Sequence, residues 1–230
     1  MLNQNLFLGS VLLFPGTNTI IANGSTWPFL SVEQRRYRLR FLNGCQARFL
    51  ILDFNQIPGV DVWQIGNEGG FLAAPVSITG VHDNRLLMSP AERADVIVDF
   101  TNVPLGSHVL GNLGPDEPFG GGAPDVDFDP ADPASTGQVM QFRVVPAIGV
   151  DDSTPPWFLQ LPSLTPLPPE TKIRRLALIE KSAEGASEDH EKIEGPVEAL
   201  LGTVDAQGNV TEYKWMAAVT ENPAVGSTEV

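Results

Sequence analysis

Tyr37-Arg38-Leu39-Arg40-Phe41-Leu42-Asn43-Gly44-Cys45-Gln46-Ala47-Arg48-Phe49-Leu50-Ile51-Leu52-Asp53-Phe54 is the stretch on which the fold turns. In its first half Tyr37, Leu39 and Phe41 point one way and Arg38 and Arg40 the other, the period of a half-buried strand. Asn43-Gly44 breaks the run, and both residues tolerate positive φ. The second half, Phe49 to Leu52, is apolar on both faces, as in a strand covered on both sides. The break reads equally as a tight hairpin or as a corner between two sheets. Either way the core is expected to form around it.

Working outward, short apolar runs alternate with turn residues. The chain holds 22 glycines and 20 prolines, spaced as in sandwiches and barrels rather than helix bundles. Residues 1–16 read as the tail of something preceding, with a strand-like Ser10 to Phe14. From residue 17 come Asn18–Ala22, an Asn23-Gly24 turn, and a strand ending at Val32. Past the central stretch, Val62–Gly66, Val76–Ile78 and Arg85–Met88 read as strands, and Ser89–Arg93 as a turn. Ala94–Phe100, Ser107–Gly111 and Val139–Val145 are further strands, the last reached after a loop over 114–137. Roughly eight short strands in residues 17–147 call for a two-sheet sandwich. Residues 148–171 form a proline-rich connector. In residues 172–230, Ile173–Glu180 fits strand or helix by period alone, 182–194 is a charged loop, and two or three strands follow around Asp205–Gly208. The fold class is all-β: one sandwich followed by an incomplete second one. The incomplete part is expected to expose strand edges and apolar faces.

Composition narrows the chemistry. Hydrophobic residues make up 42% of the 230, enough for a core, and the formal charge is −14. Such a surface repels nucleic-acid phosphates and anionic membranes. No apolar run approaches the ~20 residues of a membrane helix. Leu6–Phe14 lacks the basic flank and cleavage site of a signal peptide. The sequons at Asn23 and Asn209 carry no further support, and Asn23-Gly24 is better read as a turn.

His82, His108 and His190 stand apart, with none of the paired spacings that hold a metal. Asp125-x-Asp127-x-Asp129 opens like a calcium loop, then places Pro130 and Thr136 where an EF-hand needs Gly and Glu. Cys45, the single cysteine, reads as a buried hydrophobe rather than a reactive thiolate. Gly120-Gly121-Gly122 lacks the Lys-Ser/Thr of a phosphate loop, and no G-x-S-x-G elbow occurs. Trp27, Trp63, Trp157 and Trp215 are expected in cores rather than on one exposed sugar-binding face. No catalytic residue and no metal ligand is assigned.

Several phrases, in order, resemble the multicopper oxidase family, in its bacterial laccase and bilirubin-oxidase-like branch. They are Ile21-Ala22-Asn23-Gly24-Ser25-Thr26-Trp27-Pro28 with Val32; Arg36-Tyr37-Arg38-Leu39-Arg40-Phe41-Leu42-Asn43-Gly44; and Gln64-Ile65-Gly66-Asn67-Glu68-Gly69-Gly70-Phe71-Leu72. Ser89-Pro90-Ala91-Glu92-Arg93-Ala94-Asp95-Val96-Ile97-Val98-Asp99-Phe100 and Met140-Gln141-Phe142-Arg143-Val144 complete the set. Trp215 and Asn222–Glu229 look like opening strands of the family's third domain.

The resemblance implies cupredoxin-like Greek-key sandwiches. Residues 17–147 would be the middle domain, 148–171 the connector, and 172–230 the first strands of a third domain. It implies copper in the intact parent, a blue centre plus a trinuclear cluster, held by the first and third domains and not by this segment. Those missing domains would be its partners, and the parent would pass electrons from a small organic donor or metal ion to dioxygen. Phe14, Pro15, Ala47 and Gly121 fall where relatives approach the donor pocket. Family members are often exported, which suggests a periplasmic or secreted setting without an export signal here to support it. The alternative of another class is a copper-free relative serving as a structural or interaction factor, as in cell division.

Overall fold

The computed structural model describes residues 2–13, 17–182, 185–186, 192–193 and 196–213. They divide into a unit over residues 1–164 and a second over 165–230. The first unit begins with β1 (Leu2–Leu13), β2 (Thr17–Ala22), β3 (Ser25–Thr26), β4 (Phe29–Glu33), β5 (Arg36–Asn43) and β6 (Leu50–Asp53). It continues with β7 (Asp61–Asn67), β8 (Gly70–Ser77), one helical turn α1 (Ile78–Val81), β9 (Arg85–Met88), β10 (Arg93–Asp99), β11 (Gly106–Asn112) and β12 (Gln138–Val145).

These strands make a seven-stranded sheet, ordered β3-β2-β1-β5-β10-β7-β8, and a five-stranded sheet, β4-β12-β11-β6-β9. The central stretch is therefore a corner: β5 lies in the first sheet and β6 in the second. Alternation works as expected in β5, where Tyr37, Leu39 and Phe41 are buried and Arg40 is exposed. All four residues of β6 are buried.

Between the sheets lie Leu39, Phe41, Leu50, Leu52, Val96, Val98, Leu110 and Phe142. Phe41 meets Phe54 edge-on at 6.5 Å, and Phe100 stands 5.9 Å from Tyr37 and 5.0 Å from Phe142. Each such side chain taken out of water contributes about 1.5–3 kcal/mol. This ring cluster fixes how the two sheets face each other.

Several expectations need correction. Asn43 and Gly44 do not take positive φ; the corner is made instead by the Asn43 side chain, described below. Ile78 starts α1 rather than ending a strand, and β8 begins at Gly70 instead of Val76. Residues 2–13, read as a preceding tail, pair in parallel with β5 and antiparallel with β2. None of the described tryptophans is a core residue. Trp27 is 36% exposed and Trp157 54%, while Trp63 is half-buried on β7 and donates its indole N–H to Asp61 at 2.8 Å. Trp215 lies outside the described residues. Asn23-Gly24 is the expected turn, with φ of 50° and 82°.

Residues 151–158, in the segment read from the sequence as a connector, are docked within the first unit. Asp151 accepts from the Arg36 backbone N–H at 2.9 Å and from its Nε at 3.1 Å. Pro156 is buried in a short 3-10 turn, Pro156–Phe158, and the Trp157 ring lies 6.1 Å from Trp63.

The second unit resolves the choice left open for Ile173–Glu180 as strand. β13 (Arg175–Ser182) is followed by β14 (Gly185–Ala186), β15 (Lys192–Ile193), β16 (Pro196–Val204) and β17 (Val210–Tyr213). β13-β16-β17 form a three-stranded antiparallel sheet, and β14 pairs with β15 inside the segment expected to be loop. The β16–β17 turn is knotted by Asp205, which accepts from the backbone N–H groups of Gln207 and Asn209 at 2.9 and 2.8 Å.

Candidate functional site

The site is built from the bottom of the corner. At residue 43 the chain leaves one sheet for the other, and the cut strand ends must find hydrogen bonds without water. Asn43, 0% exposed, supplies them. Its Nδ2 donates to the Arg48 and Met88 carbonyls, both at 3.0 Å, and its Oδ1 accepts from the Cys45 N–H at 3.0 Å. Its own N–H and C=O pair with Glu92 and Ala91. Asparagine is used here for its four-way amide, not for its tolerance of unusual φ.

Asn112 does the same where β11 ends. Its Oδ1 accepts from the Ile51 and Gly114 N–H groups at 2.9 Å each, and its Nδ2 donates to the carbonyls of Thr136 at 3.0 Å and Gly114 at 3.3 Å. It ties β6 to both ends of the loop 114–137.

These two amides bring the corner loop, residues 44–49, beside the long loop. Arg48 donates to the Pro115 carbonyl at 3.3 Å and pairs with Asp116. Phe49 meets Phe119 at 5.1 Å, and Phe119 meets Phe128 at 5.4 Å. A cleft of ≈ 440 Å³ opens beside Phe119, lined also by Gly121 and Asp127. Ala47 and Gly121 are both exposed on these two joined loops. Gly121 has φ of 96°, a backbone that favours glycine. Phe14 and Pro15 lie outside the described residues.

Sequence reasoning singled out Ala47 and Gly121 but passed over Arg48, Phe49, Phe119 and Phe128, which join their loops. A signal existed in Arg48, a lone cation inside an apolar stretch, and in Phe119, an aromatic beside three glycines.

The other flagged groups are spent on local structure. Asp127 accepts from the Ala123 N–H at 2.7 Å, closing its own loop. His108 Nε2 lies 2.8 Å from the Pro104 carbonyl and donates to it. His82 is exposed beyond α1, and His190 lies outside the described residues. Cys45 is 5% exposed within the core cluster. Asn209 donates through Nδ2 to Asp205 at 2.8 Å in the β16–β17 turn.

A blue-copper centre needs a thiolate and two imidazoles, and a copper cluster further imidazoles. The donor set of the described residues does not fit such a group. Cys45 is buried in the core cluster, and the two described imidazoles lie apart in the chain, His82 just past α1 and His108 on β11. Among the described residues no three His, Cys, Asp or Glu side chains are grouped to hold a metal ion. No helix of the described residues is long and apolar enough to cross a membrane.

No protein-family model matches this chain. It is 33% identical over 218 residues to a laccase of Bacillus subtilis (strain 168), covering 92% of this chain and 34% of the laccase. It is 36% identical over 219 residues to multicopper oxidase LPR1 homolog 5 of Oryza sativa subsp. japonica, covering 92% of this chain and 29% of the relative. Among solved structures, the McoA multicopper oxidase of the hyperthermophile Aquifex aeolicus matches with a TM-score of 0.55 at 25% identity. That match covers 79% of this chain and 39% of the other. The chain thus spans about a third of the length of the curated relatives it matches. The all-β, two-sheet build agrees with the cupredoxin-like sandwich that the sequence led us to expect.

Proposed function

The chain belongs to the multicopper oxidase family, and from that premise we propose that it is the scaffold portion of a longer laccase-like oxidase. The observation that carries this reading is the likeness to a laccase along 92% of this chain, against 34% of the laccase. In this reading copper would be held by segments other than the described ones. In the longer protein, copper would supply one-electron transfer from a diphenol, a related organic donor or a metal ion to dioxygen, giving water.

Residues 17–147, together with β1, which pairs into their larger sheet, would then be the middle cupredoxin-like domain, and 148–171 the connector. Residues 172–230 would open a third domain, and the missing first and third domains would be this segment's partners. The buried amides of Asn43 and Asn112 give the middle domain a rigid corner. Arg48 and the Phe49–Phe119–Phe128 rings fix the two loops that carry Ala47 and Gly121. Those two residues, with Phe14 and Pro15, would form the rim of the organic donor's pocket.

The test compares the 230-residue chain with the longer protein, each supplied with copper. Copper per chain and oxygen uptake with a diphenol are expected in the longer protein alone. Stoichiometric copper with a blue absorption band on the 230-residue chain would overturn the reading.

A further inference from the structure

The outward face of the seven-stranded sheet carries a cleft of ≈ 530 Å³, within the range of small-molecule sites. β5, β10 and the β7–β8 hairpin wall it in, and Asn23 stands on its rim. Its hollow has a local cause. Pairing slips between Asp95 and Val96 on β10 and between Gln64 and Gly66 on β7. Such bulges bend a strand out of the sheet. Gly66 completes the effect, for a Cβ there would lie 2.8 Å from the Gly70 carbonyl oxygen.

In a chain of charge −14, the described lining of this cleft gathers Arg38, Arg40 and Arg93 with Asp95 and Glu68. Two of the three guanidiniums are satisfied. Arg38 donates from Nε to Asp95 at 2.8 Å, bonds its second oxygen through NH2, and rests 5.4 Å from the Phe71 ring centre. Arg93 pairs with Glu68 at 2.7 Å. Among the described residues Arg40 has no such close partner. Its Nε stands 3.7 Å from an Asp95 oxygen already held by Arg38, and its side chain is 52% exposed. At that separation Coulomb attraction persists, but no hydrogen bond is made. Beside this half-free cation lie Leu42 and Phe71, the latter 37% exposed.

We propose that this cleft is a binding site for an aryl carboxylate. Its carboxylate pairs with the Arg40 guanidinium, and its ring lies against Leu42 and Phe71. A carboxylate matches the guanidinium fork in shape as well as charge. A flat ring covers apolar surface that is otherwise wet. The site shares no residue with the corner and its two loops, so it stands or falls independently of the donor-pocket assignment.

The test titrates the 230-residue chain with 2-naphthoate and with neutral 2-naphthamide by calorimetry. Naphthoate is expected to bind more tightly than the amide, and less tightly as salt is raised. Arg40→Gln is expected to weaken naphthoate binding about tenfold, the scale of one charge-assisted bond, with no effect on the amide. Glu68→Gln, which releases Arg93, is expected to tighten it. Unchanged unfolding midpoints would confirm that both variants fold. Equal affinity for acid and amide, no binding at millimolar naphthoate, or wild-type affinity in folded Arg40→Gln would each overturn the proposal.

Discussion

Replacing Asn112 by alanine removes four hydrogen bonds from a side chain that is 0% exposed. The N–H groups of Ile51 and Gly114 and the carbonyls of Thr136 and Gly114 lose that partner together. A buried polar group left unpaired costs about 1–3 kcal/mol. The vacated volume admits some water, so the four losses do not add in full, and the expected destabilisation is about 4 kcal/mol. Domains of this size have only about 5–15 kcal/mol in hand. With a urea slope near ~2 kcal/mol per molar, the midpoint of unfolding should fall by roughly 2 M. Tryptophan fluorescence would follow the transition, and hydrogen exchange would locate it, with the Ile51 and Gly114 amides losing protection first. Asn112→Asp at neutral pH is expected to be no better, because it turns two donors into acceptors that face carbonyls. A midpoint shift below roughly 0.5 M in Asn112→Ala, with unchanged slope, would refute the claim that this amide ties the long loop to β6.

Two further outcomes follow from the connector and the second unit. Burial works against the Asp151 charge, but hydrogen bonds from Ser153 and Arg36 outweigh it and hold the carboxyl well below the usual range. The folded chain therefore binds this proton less tightly than the unfolded one. The docked connector gains stability above the ordinary carboxylate pKa of about 3.9 and loses it as pH falls toward the depressed value. Asp151→Asn at neutral pH should show the fast hydrogen exchange over residues 148–158 that the wild type shows only in strong acid; equal protection in the two proteins would contradict this. In the second unit Leu178 and Leu201 pair across β13 and β16 at 88% and 62% exposure. Lysine at both should reduce concentration-dependent self-association in light scattering if this apolar face is sticky, and no change would argue that it is not.

The fold was legible wherever burial wrote itself as a period. β5 alternates because one of its faces is wet, and β6 is uniformly apolar because neither is. The Asn23-Gly24 turn was legible too, since its two positive φ angles call for those residues. What could not be read was Asn43, because an asparagine chosen for its backbone and one chosen for its amide look alike in one dimension. The amide needs Met88 and Arg48 as partners, one of them 45 residues away. The tryptophans misled for a related reason: Trp63 and Trp157 meet each other on an outward face, and the sequence separates them by almost half the chain. Of the candidate rim, Ala47 and Gly121 sit on loops that Arg48 and three phenylalanines join. Arg48 and Phe119 stand out locally, but their partners lie about 70 residues away, and nothing in one dimension pairs them.

The meeting of Trp63 and Trp157 has a spectroscopic corollary. Two indoles with ring centres 6.1 Å apart and planes inclined at 53° are close enough for their excited states to mix. Skewed pairs of this kind give opposite-signed bands in far-ultraviolet circular dichroism. When the segment bearing Trp157 lifts from the sheet, that couplet should vanish while the strand signal persists. The molecule thus carries a label-free optical gauge of its own connector.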